Sequence, residues 1–151
     1  MYISGMPNEI ETDLTNLILG IDHIGIAVPD LDTGRNLFEG ILGLREHHTE
    51  VNESQGVSES MIAFPDQGAQ IQLLAPLSPD TTIGKFLANK GPGIQQLALR
   101  VSDVELVASH VRASGIRMLY DAPRIGTAGS LVNFAHPADC GGVLIEFVQY
   151  A

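Results

Sequence analysis

Apolar and polar positions follow the same order twice along this chain. The run IDHIGIAVPD (residues 21–30) aligns with IQQLALRVSD (94–103), and AQIQLLAP (69–76) matches GVLIEFVQ (142–149), at a nearly constant offset of about 73 residues. Short apolar runs of this kind, bounded by turn-forming residues, are typical of β-strands. Two matches at one offset indicate an internal repeat.

The segments after the first strand of each copy predict helices. LDTGRNLFEGILGL (31–44) and VELVASHVRASGI (104–116) carry apolar residues at helical spacing, follow an aspartate that can cap a helix, and finish at Gly43 and Gly115. Further strands are predicted around the turn signals NESQG and PRIGTAG. Each half is therefore predicted as strand, helix and about three strands, an α+β arrangement with module one at about 21–76 and module two at about 94–149.

Two segments lie outside the repeat. Residues 1–20 place Ile10, Leu14, Leu17 and Ile18 at helical spacing, which leaves two interpretations open, a short surface helix or a partly ordered arm. The linker PLSPDTTIGKFLANKGPG (76–93) is rich in Pro and Gly and predicts a short helix around 83–89. We therefore expect one domain at 21–151, preceded by an N-terminal arm or helix.

Composition narrows the class of protein. The chain has 151 residues, 44% of them hydrophobic, which suits one globular domain with a hydrophobic core. A formal net charge of −10 without any run of Lys or Arg argues against nucleic-acid binding. A single cysteine excludes an internal disulfide and a Cys-rich zinc site. Because no apolar run has transmembrane length, we expect a cytoplasmic protein that binds neither nucleic acid nor membrane.

Four polar side chains interrupt the apolar strands at equivalent places in the two halves. His23 and Gln96 form one pair on the first strands, and Gln72 and Glu146 form the other on the last strands. Taken singly, a strand histidine or glutamine is more often structural or solvated than functional. Burying a carboxylate without a partner is costly, however, and the repeat predicts that the four positions are neighbours. We therefore expect them to converge on a shared ion or ligand.

The chain resembles a known superfamily over residues 21–149. The stretches that carry the resemblance are IDHIGIAV, VNESQGVSESM, IQLLAPLSPDTTIGKFLANKGPG, LYDAPRIGTAGSLVNFAHP and DCGGVLIEF. Together they are similar to the vicinal oxygen chelate superfamily, which contains glyoxalase, bleomycin-resistance and extradiol dioxygenase folds, and within it to the methylmalonyl-CoA epimerase branch. The resemblance implies two tandem βαβββ modules that form a curved mixed sheet around a central cavity, and pairing of chains as a homodimer.

The resemblance also implies roles for single residues. The metal ligands of the family fall on His23, Gln72, Gln96 and Glu146, and the catalytic pair falls on Glu59 and Glu146. The family usually carries two adjacent histidines where this chain has the pair QQ that ends at Gln96. An amide oxygen replaces an imidazole there, so we expect a divalent metal (Co, Mn, Mg or Zn) to bind weakly or not at all. The alternative is a Gln96 amide nitrogen that donates a hydrogen bond to an oxyanion.

The implied activity is removal and return of the C2 proton of a 2-substituted malonyl thioester, carried by CoA or by a carrier protein, through a stabilised enolate. Two acid/base groups on opposite faces of C2 are needed, and Glu59 and Glu146 come from different halves. Two alternatives stay open: decarboxylation, isomerisation or cyclisation of another acyl-thioester or polyketide-type β-dicarbonyl substrate, and small-molecule binding without turnover. Retention of two carboxylates in an apolar surrounding argues against binding alone.

Basic residues are scarce, which limits how an anionic substrate is held. Lys85, Lys90 and Arg124 lie near glycine-rich turns and are candidates for CoA phosphate contacts. Arg100 is the one charge on the first strand of module two, and it is a candidate for binding the substrate carboxylate or for neutralising Glu146. His136, at the end of the strand in FAHP, is a candidate for ligand contact or for a structural hydrogen bond.

A histidine pair follows the first predicted helix. His47 and His48 stand among Glu46, Glu50 and Glu53. Such a group has the residue types of a metal site, but closely spaced His and Glu are also typical of a solvated loop or edge strand. We favour the solvated segment.

Overall fold

The computed structural model describes residues 14–151, so the predicted helix or arm at residues 1–13 lies outside the described residues. Leu14–Leu17 form a single helical turn, α1, and strand β1 already begins at Ile18. The helical spacing therefore ends one residue earlier than predicted, and the first strand extends into the predicted arm. The division into an arm at 1–20 and a domain at 21–151 stays a prediction.

Each half of the described chain contains a strand, a helix and three further strands. Module one consists of β1 (Ile18–Ala27), α2 (Leu31–Arg35) with a π-helical continuation (Asn36–Ile41), β2 (Arg45–Asn52), β3 (Val57–Ala63) and β4 (Gln70–Pro76). Helix α3 (Thr82–Lys90) connects the modules, where the sequence predicts a helix at 83–89. Module two consists of β5 (Gly93–Val101), α4 (Val104–Ala113), β6 (Arg124–Ile125), β7 (Leu131–Ala135) and β8 (Ile145–Gln149), with 3-10 turns at Thr127–Gly129 and Pro137–Asp139. None of the helices within residues 14–151 is long and apolar enough to cross a membrane.

The helices that follow β1 and β5 carry the predicted caps. Asp30 and Asp103 each accept a hydrogen bond from the backbone N–H three residues on, at 2.8 and 3.0 Å, and so satisfy a free donor of the first turn. Gly43 and Gly115 follow the helices with φ of 73° and 89°. Glycine adopts this left-handed conformation at little cost, which lets the chain leave each helix and turn back toward the sheet.

The described strands form one eight-stranded mixed sheet in the order β2-β3-β4-β1-β5-β8-β7-β6. β1 runs parallel to β4, β5 runs parallel to β8, and antiparallel pairing of β1 with β5 joins the modules. In this central pairing Gly25 lies opposite Gln96 and His23 lies opposite Ala98, so equivalent positions of the two halves exchange partners. A pseudo-twofold axis therefore passes between β1 and β5. The predicted α+β fold of two tandem βαβββ modules in a curved sheet is confirmed.

Strand alternation gives the sheet one face that packs on helices and one that bears polar groups. On β4, Leu73 is fully buried against α2, and on β8, Phe147 packs with Val104 of α4. Burial of each such side chain contributes about 1.5–3 kcal/mol. The adjacent residues Gln72 and Glu146 point to the opposite face. The helix-covered core thereby fixes the strands whose other face carries the predicted site.

Candidate active site

The four polar side chains that the repeat predicts to be neighbours lie together on one face of the sheet. Gln96 Nε2 lies 3.2 Å from His23 Nε2, 3.2 Å from Gln72 Oε1 and 2.5 Å from Glu146 Oε2. His23 Nε2 lies 3.4 Å from Glu146 Oε2, and all four side chains are buried. The amide nitrogen of Gln96 is thus the central atom of a four-group cluster. The convergence is observed, whereas the roles of the four residues stay predictions.

Gly25 makes room for Gln96 to reach the centre. The two residues lie opposite each other on β1 and β5, and a Cβ atom added at Gly25 would lie 2.4 Å from Gln96 Cγ and 2.9 Å from Gln96 Cδ. A close-packed interior does not accommodate so short a contact. Glycine at this position therefore allows the Gln96 side chain to cross over β1.

The hydrogen bonds around His23 indicate that both nitrogens of its imidazole ring carry a proton. Its Nδ1 lies 2.6 Å from Asp22 Oδ2 and donates to that carboxylate. The Gln96 amide nitrogen has two N–H bonds but lies near three groups, His23 Nε2, Gln72 Oε1 and Glu146 Oε2. It can donate to the two oxygens only, so His23 Nε2 is satisfied when it carries a proton of its own and donates it to Glu146. Burial opposes a charged imidazole, but the hydrogen bonds and charges of Asp22 and Glu146 outweigh it and raise the pKa of His23 to about 9.

Asp22 anchors this imidazole, although it is absent from the residues predicted for the site. It is almost fully buried and accepts hydrogen bonds from Tyr150 Oη at 2.9 Å and from Arg100 Nε at 3.4 Å. Burial by itself would raise the pKa of Asp22, but the bonds to His23 and Tyr150 and the charge of Arg100 together lower it. The acid directly before a histidine is a local signal for such a pair. Tyr150, 128 residues away, has no local signal.

Glu59 is held beside the cluster by side chains from both modules. Gln72 Nε2 donates to Glu59 Oε2 at 3.0 Å, and Thr127 Oγ1 donates to Glu59 Oε1 at 2.7 Å. Thr127 begins a 3-10 turn of module two, a segment that the sequence predicts only as a turn. Burial first, and then a hydrogen bond with Glu50, raise the pKa of Glu59 to about 8. Glu59 therefore carries a proton at neutral pH.

A cavity of about 90 Å³ opens beside these groups, and Glu59, Gln72, Gln96 and Glu146 line it. The predicted central cavity is therefore present, with an apolar surrounding that suits a small acyl group and strengthens electrostatic interactions by limiting water. The apolar part of its wall comes from both modules and from α3: Val57, Leu74, Ile83, Leu119, Val132, Phe134 and Leu144.

Three of the residues predicted to bind substrate lie outside the cavity wall but at different distances from it. Arg124 stacks on the ring of Tyr120, which belongs to the wall, at 3.7 Å from the ring centroid. Lys85 is exposed on α3, whose first turn borders the cavity. His136 accepts a hydrogen bond from the backbone N–H of Ala138 at 3.1 Å and caps a 3-10 turn. The structure thus gives His136 a structural hydrogen bond, the second of its two predicted roles.

Arg100 does not line the cavity, although it lies on the same face of β5 as Gln96, as strand alternation predicts. Its Nε contacts Asp22, so it lies behind His23 rather than beside Glu146. The pairing of β1 with β5 shifts register between Ile21 and His23. The extra residue of this shift is Asp22 on β1, so Asp22 as well as its neighbour His23 lies on the side of Arg100, and Asp22 accepts the Arg100 hydrogen bond. The position of Arg100 therefore supports a contact with Asp22 and not with a substrate carboxylate.

The side chains that could act as ligands determine how well a metal ion would fit the cluster. Within residues 14–151 no group of three or more His, Cys, Asp or Glu side chains is arranged to hold a metal ion, since two of the four inward side chains are glutamines. The 3.4 Å between His23 Nε2 and Glu146 Oε2 is nevertheless the separation of neighbouring ligands around an ion with bonds of about 2.1 Å, and Gln72 Oε1 lies in the same cluster. Gln96 fits once its amide presents Oε1 instead of Nε2, which needs only rotation of the terminal amide. The residues therefore fit a metal as a weak, oxygen-rich set.

Comparison with known proteins gives consistent matches. Residues 22–134 match the model of the glyoxalase/bleomycin resistance protein/dioxygenase superfamily. The mitochondrial methylmalonyl-CoA epimerase of Bos taurus is 34% identical over 131 residues, which cover 85% of this chain and 73% of that protein. The crystal structure of methylmalonyl-CoA epimerase from Mycobacterium tuberculosis is 50% identical, with a TM-score of 0.87 over 91% of each chain. A variant of Streptomyces coelicolor methylmalonyl-CoA epimerase in complex with 2-nitronate-propionyl-CoA is 43% identical, with a TM-score of 0.84 over 89% of this chain and 99% of that one.

Proposed function

The chain belongs to the glyoxalase/bleomycin resistance protein/dioxygenase superfamily and, within it, to the methylmalonyl-CoA epimerases, and on this premise we propose that it interconverts the two C2 epimers of methylmalonyl-CoA. One observation carries the proposal: Glu59 of module one and Glu146 of module two are both buried and line the same cavity. Removal and return of a proton at one carbon requires two such acid/base groups. The enzyme is accordingly an isomerase.

The proposed reaction uses the two carboxyl groups in turn. C2 of the substrate lies between a thioester carbonyl and a carboxylate, so loss of its proton leaves an enolate whose charge rests largely on the thioester oxygen. Glu146 takes the C2 proton of one epimer, and Glu59 gives its proton to the opposite face of C2. The electron pair of the broken C–H bond forms the enolate double bond and returns to C2 in the new C–H bond. The other epimer reacts with the two groups in the reverse order.

The amide side chains supply donors for the enolate oxygen. Gln96 Nε2 lies at the centre of the cluster and lines the cavity, where its N–H bonds can turn from Glu146 to a substrate oxygen. In a water-poor cavity one well-placed donor of this kind accelerates reactions by about 10²-fold or more. Gln72 fixes the positions of the Glu59 and Gln96 side chains relative to each other, because its Nε2 donates to Glu59 and its Oε1 accepts from Gln96.

The proposal includes a weakly held divalent metal. His23, Gln72, Gln96 and Glu146 would hold the ion, with oxygen donors outnumbering the single imidazole, which favours Mn or Mg over Zn. When bound, the ion would supply Lewis-acid stabilisation of the enolate oxygen. Because His23 Nε2 carries a proton in the metal-free cluster, metal uptake should release a proton.

We propose CoA as the acyl carrier, since the related epimerases are named for an acyl-CoA and one is in complex with a propionyl-CoA analogue. The net charge of −10 repels an anionic carrier at long range. Local cations must therefore hold the CoA phosphates, and we assign this role to Arg124, which stacks on Tyr120 of the cavity wall, and to Lys85 on α3, whose first turn borders the cavity. Pairing as a homodimer, which the family resemblance implies, stays a prediction.

Solvent proton exchange at C2 tests the function directly. The protein is treated with a chelator and incubated with methylmalonyl-CoA in D₂O, and the C2 signal is followed by NMR before and after addition of Co²⁺ or Mn²⁺. Exchange with epimerisation is expected in the presence of metal. Exchange that survives the chelator would assign enolate stabilisation to the Gln96 amide.

The same experiment separates the alternative functions. Loss of CO₂, or a product other than the second epimer, would indicate decarboxylation or isomerisation of an acyl thioester. Binding of methylmalonyl-CoA without exchange under either condition would contradict the epimerase and favour a binding protein.

A further inference from the structure

Glu50 places a third carboxyl group directly behind the proposed acid Glu59. The two residues lie opposite each other on β2 and β3, so their side chains share one face of the sheet. Their carboxyl groups lie within hydrogen-bonding reach of each other, and a bond between them requires a shared proton. Two like charges in this cross-strand position repel, and sharing a proton removes the repulsion. The proposed reaction gives Glu50 no role, although it touches one of the two reacting carboxyl groups.

A turn of module two holds both carboxyl groups. The backbone N–H of Ala128 donates to Glu50 Oε1 at 2.9 Å, and the hydroxyl of the preceding residue, Thr127, donates to Glu59. Ala128 has a φ of 54°, a left-handed conformation that costs a residue with a Cβ about 1–2 kcal/mol. Strain of this size persists where the surrounding contacts require it. The turn is therefore built to orient Glu50 and Glu59 together.

Glu50 does not line the cavity but reaches solvent beside it. A second depression of about 310 Å³, the outer cleft, is lined by residues that include Glu50, Asn52, Glu53 and Gly126. The Glu50 side chain is 29% exposed, whereas Glu59 is 2% exposed. His48 places its Nε2 3.3 Å from Glu50 Oε2 and has a side chain that is 35% exposed. A row of exchangeable groups thus leads from Glu59 through Glu50 to the outer cleft.

An epimerase with two bases needs a route of this kind. After one conversion, the base that took the C2 proton is protonated and its partner is not, so the enzyme is prepared only for the reverse reaction. Before Glu59 can take a second proton from the same epimer, it must lose the first. Gln72 and Thr127, the other partners of Glu59, donate hydrogen bonds to it, and an amide does not carry a proton away.

We propose that Glu50 is the proton exit of Glu59, which connects the buried acid with the outer cleft and resets the enzyme between turnovers. This inference rests on the proposed epimerase function. In each reset the Glu59 O–H proton passes to the Glu50 carboxylate, and Glu50 then gives a proton to water in the outer cleft or to its neighbour His48. Glu146, which has given its proton to C2, takes up a proton from solvent without passing through Glu50. Charge and protons therefore balance over the cycle.

The test compares label loss with epimerisation. Methylmalonyl-CoA deuterated at C2 is incubated in H₂O with the wild-type protein and with Glu50→Gln, which retains an acceptor for Ala128 but carries no exchangeable carboxyl proton. Wild-type protein should lose label with each conversion. When the substrate is the epimer that Glu59 deprotonates, each net conversion replaces the deuterium at C2 by the proton of Glu146. In the variant the deuterium stays longer on Glu59 and returns to C2 in the reverse reaction, so the rate at which label reaches solvent should fall by about tenfold. The turnover number at saturating substrate should fall similarly, while kcat/KM stays within about twofold, because resetting occurs on the free enzyme.

Two further variants make the test specific. Glu53→Gln removes an exposed carboxylate from the same outer cleft and should behave as wild type. Glu50→Asp keeps a carboxyl group with a shorter reach, should lose label at an intermediate rate, and carries the test if Glu50→Gln does not fold. Wild-type epimerisation with undiminished label loss in the Glu50 variants would overturn the proton exit alone. Absence of epimerisation in the wild-type protein would overturn the proposed function and the exit with it.

Discussion

Module one and module two pair their central strands in the same register but carry different chemistry on them. Gly25 lies beside Gln72 in the first module, and Ala98 lies beside Glu146 in the second. The first module thus contributes an imidazole and an amide to the central cluster, and the second contributes an amide and a carboxylate. Backbone pairing makes the four positions equivalent in space, and side-chain identity alone makes them different in function.

The outer strands differ more strongly. Glu59 pairs with Leu74 in module one, and Val132 pairs with Val148 at the equivalent place in module two, so one module presents a carboxyl group to the cavity where the other presents a methyl surface. Strand β2 has eight residues, whereas β6 has two. The short strand leaves space for the turn at Thr127–Gly129, which crosses to the carboxyl groups of module one. The proposed acid Glu59 and the turn that holds it are therefore both places where the two modules differ.

The largest effect is expected when the two carboxyl groups are changed one at a time. Glu59→Gln and Glu146→Gln should each lower epimerisation by about 10³-fold or more, because each removes one acid/base group. Each variant retains one base, so each should exchange the C2 proton of one epimer only, and the two variants should select opposite epimers. NMR in D₂O with the separate epimers measures this selectivity.

An exposed carboxylate provides the control for this pair. Glu105→Gln changes the first turn of α4, far from the cavity wall, and should leave the rate unaltered. Exchange of the same epimer by both Glu59→Gln and Glu146→Gln would contradict the assignment of the two groups to opposite faces of C2.

A more symmetrical cluster should bind metal more tightly. Gln96→His gives module two the imidazole that module one already has in His23, and an imidazole binds Co²⁺ better than a neutral amide. Affinity for Co²⁺, measured by titration calorimetry, should rise by about tenfold or more. Gln95→His adds the same ring one residue along β5, outside the hydrogen-bonded cluster, and should not change the affinity. Equal affinities for Gln96→His and wild type would show that residue 96 is not a ligand.

The repeat explains how much of the site could be predicted from the sequence. His23, Gln72, Gln96 and Glu146 interrupt apolar strands at repeated positions, and backbone pairing then brings them together whatever the loops do. The two helices were predictable for a similar reason, because caps and terminal glycines act within a few residues. Local pattern and fold agree in these parts of the molecule.

The remaining contacts depend on geometry that no local pattern carries. Thr127 reaches Glu59 across 68 positions of sequence, and Tyr150 reaches Asp22 across 128. The sequence predicts that Arg100 contacts a substrate carboxylate or Glu146, but a register shift on β1 places the carboxylate of Asp22 beside it instead. Glu50 was interpreted as part of a solvated segment, which its exposed edge strand supports, yet its partner on β3 is buried. Side chains that join the modules are therefore the ones that sequence analysis missed.

Replacing Gly25 by alanine, the residue that module two has at the equivalent position 98, should lower both the unfolding free energy and the epimerisation rate. Gly25→Ala adds the methyl group that Ala98 already carries, but here the new Cβ would lie 2.4 Å from Gln96 Cγ. Overpacking of this kind costs about 1–3 kcal/mol of unfolding free energy and would displace Gln96 from the cluster. Chemical denaturation and epimerisation rates measure the two effects, and activity should fall by about tenfold. Gly93→Ala on β5, where an added Cβ meets no atom within 4 Å, is the matched control. Unchanged activity in Gly25→Ala would contradict the proposed need for Gln96 at the centre.

The smallest expected effect is the difference in stability between two ion pairs, one in each module. In module one, Glu46 on β2 accepts hydrogen bonds from Arg35 Nε at 2.5 Å and from Ser60 Oγ at 2.7 Å, and so ties α2 to the sheet. Arg35 is the main cause that lowers the pKa of Glu46 from 4.5 to about 2. In module two, Arg117 Nε donates to Asp139 Oδ2 at 2.9 Å, but the Arg117 side chain is 63% exposed. Solvent screens an exposed pair much more than a half-buried one.

Acid titration of stability should therefore separate the two pairs. A carboxyl group whose pKa is lower in the folded state than in the unfolded state stabilises the fold above its unfolded value, so the contribution of Glu46 is complete above pH 4.5 and is lost as the pH falls toward 2. After allowance for partial exposure we expect about 1–2 kcal/mol of unfolding free energy. Denaturant unfolding at pH 6 and pH 3 should show Glu46→Gln less stable than wild type at pH 6, with the difference reduced by about half at pH 3. Arg117 lowers the pKa of Asp139 to about 2 as well, but because this pair is more exposed, Asp139→Asn should lose less stability than Glu46→Gln at pH 6. An equal or larger loss in Asp139→Asn would mean that exposure does not decide how much each ion pair stabilises its module.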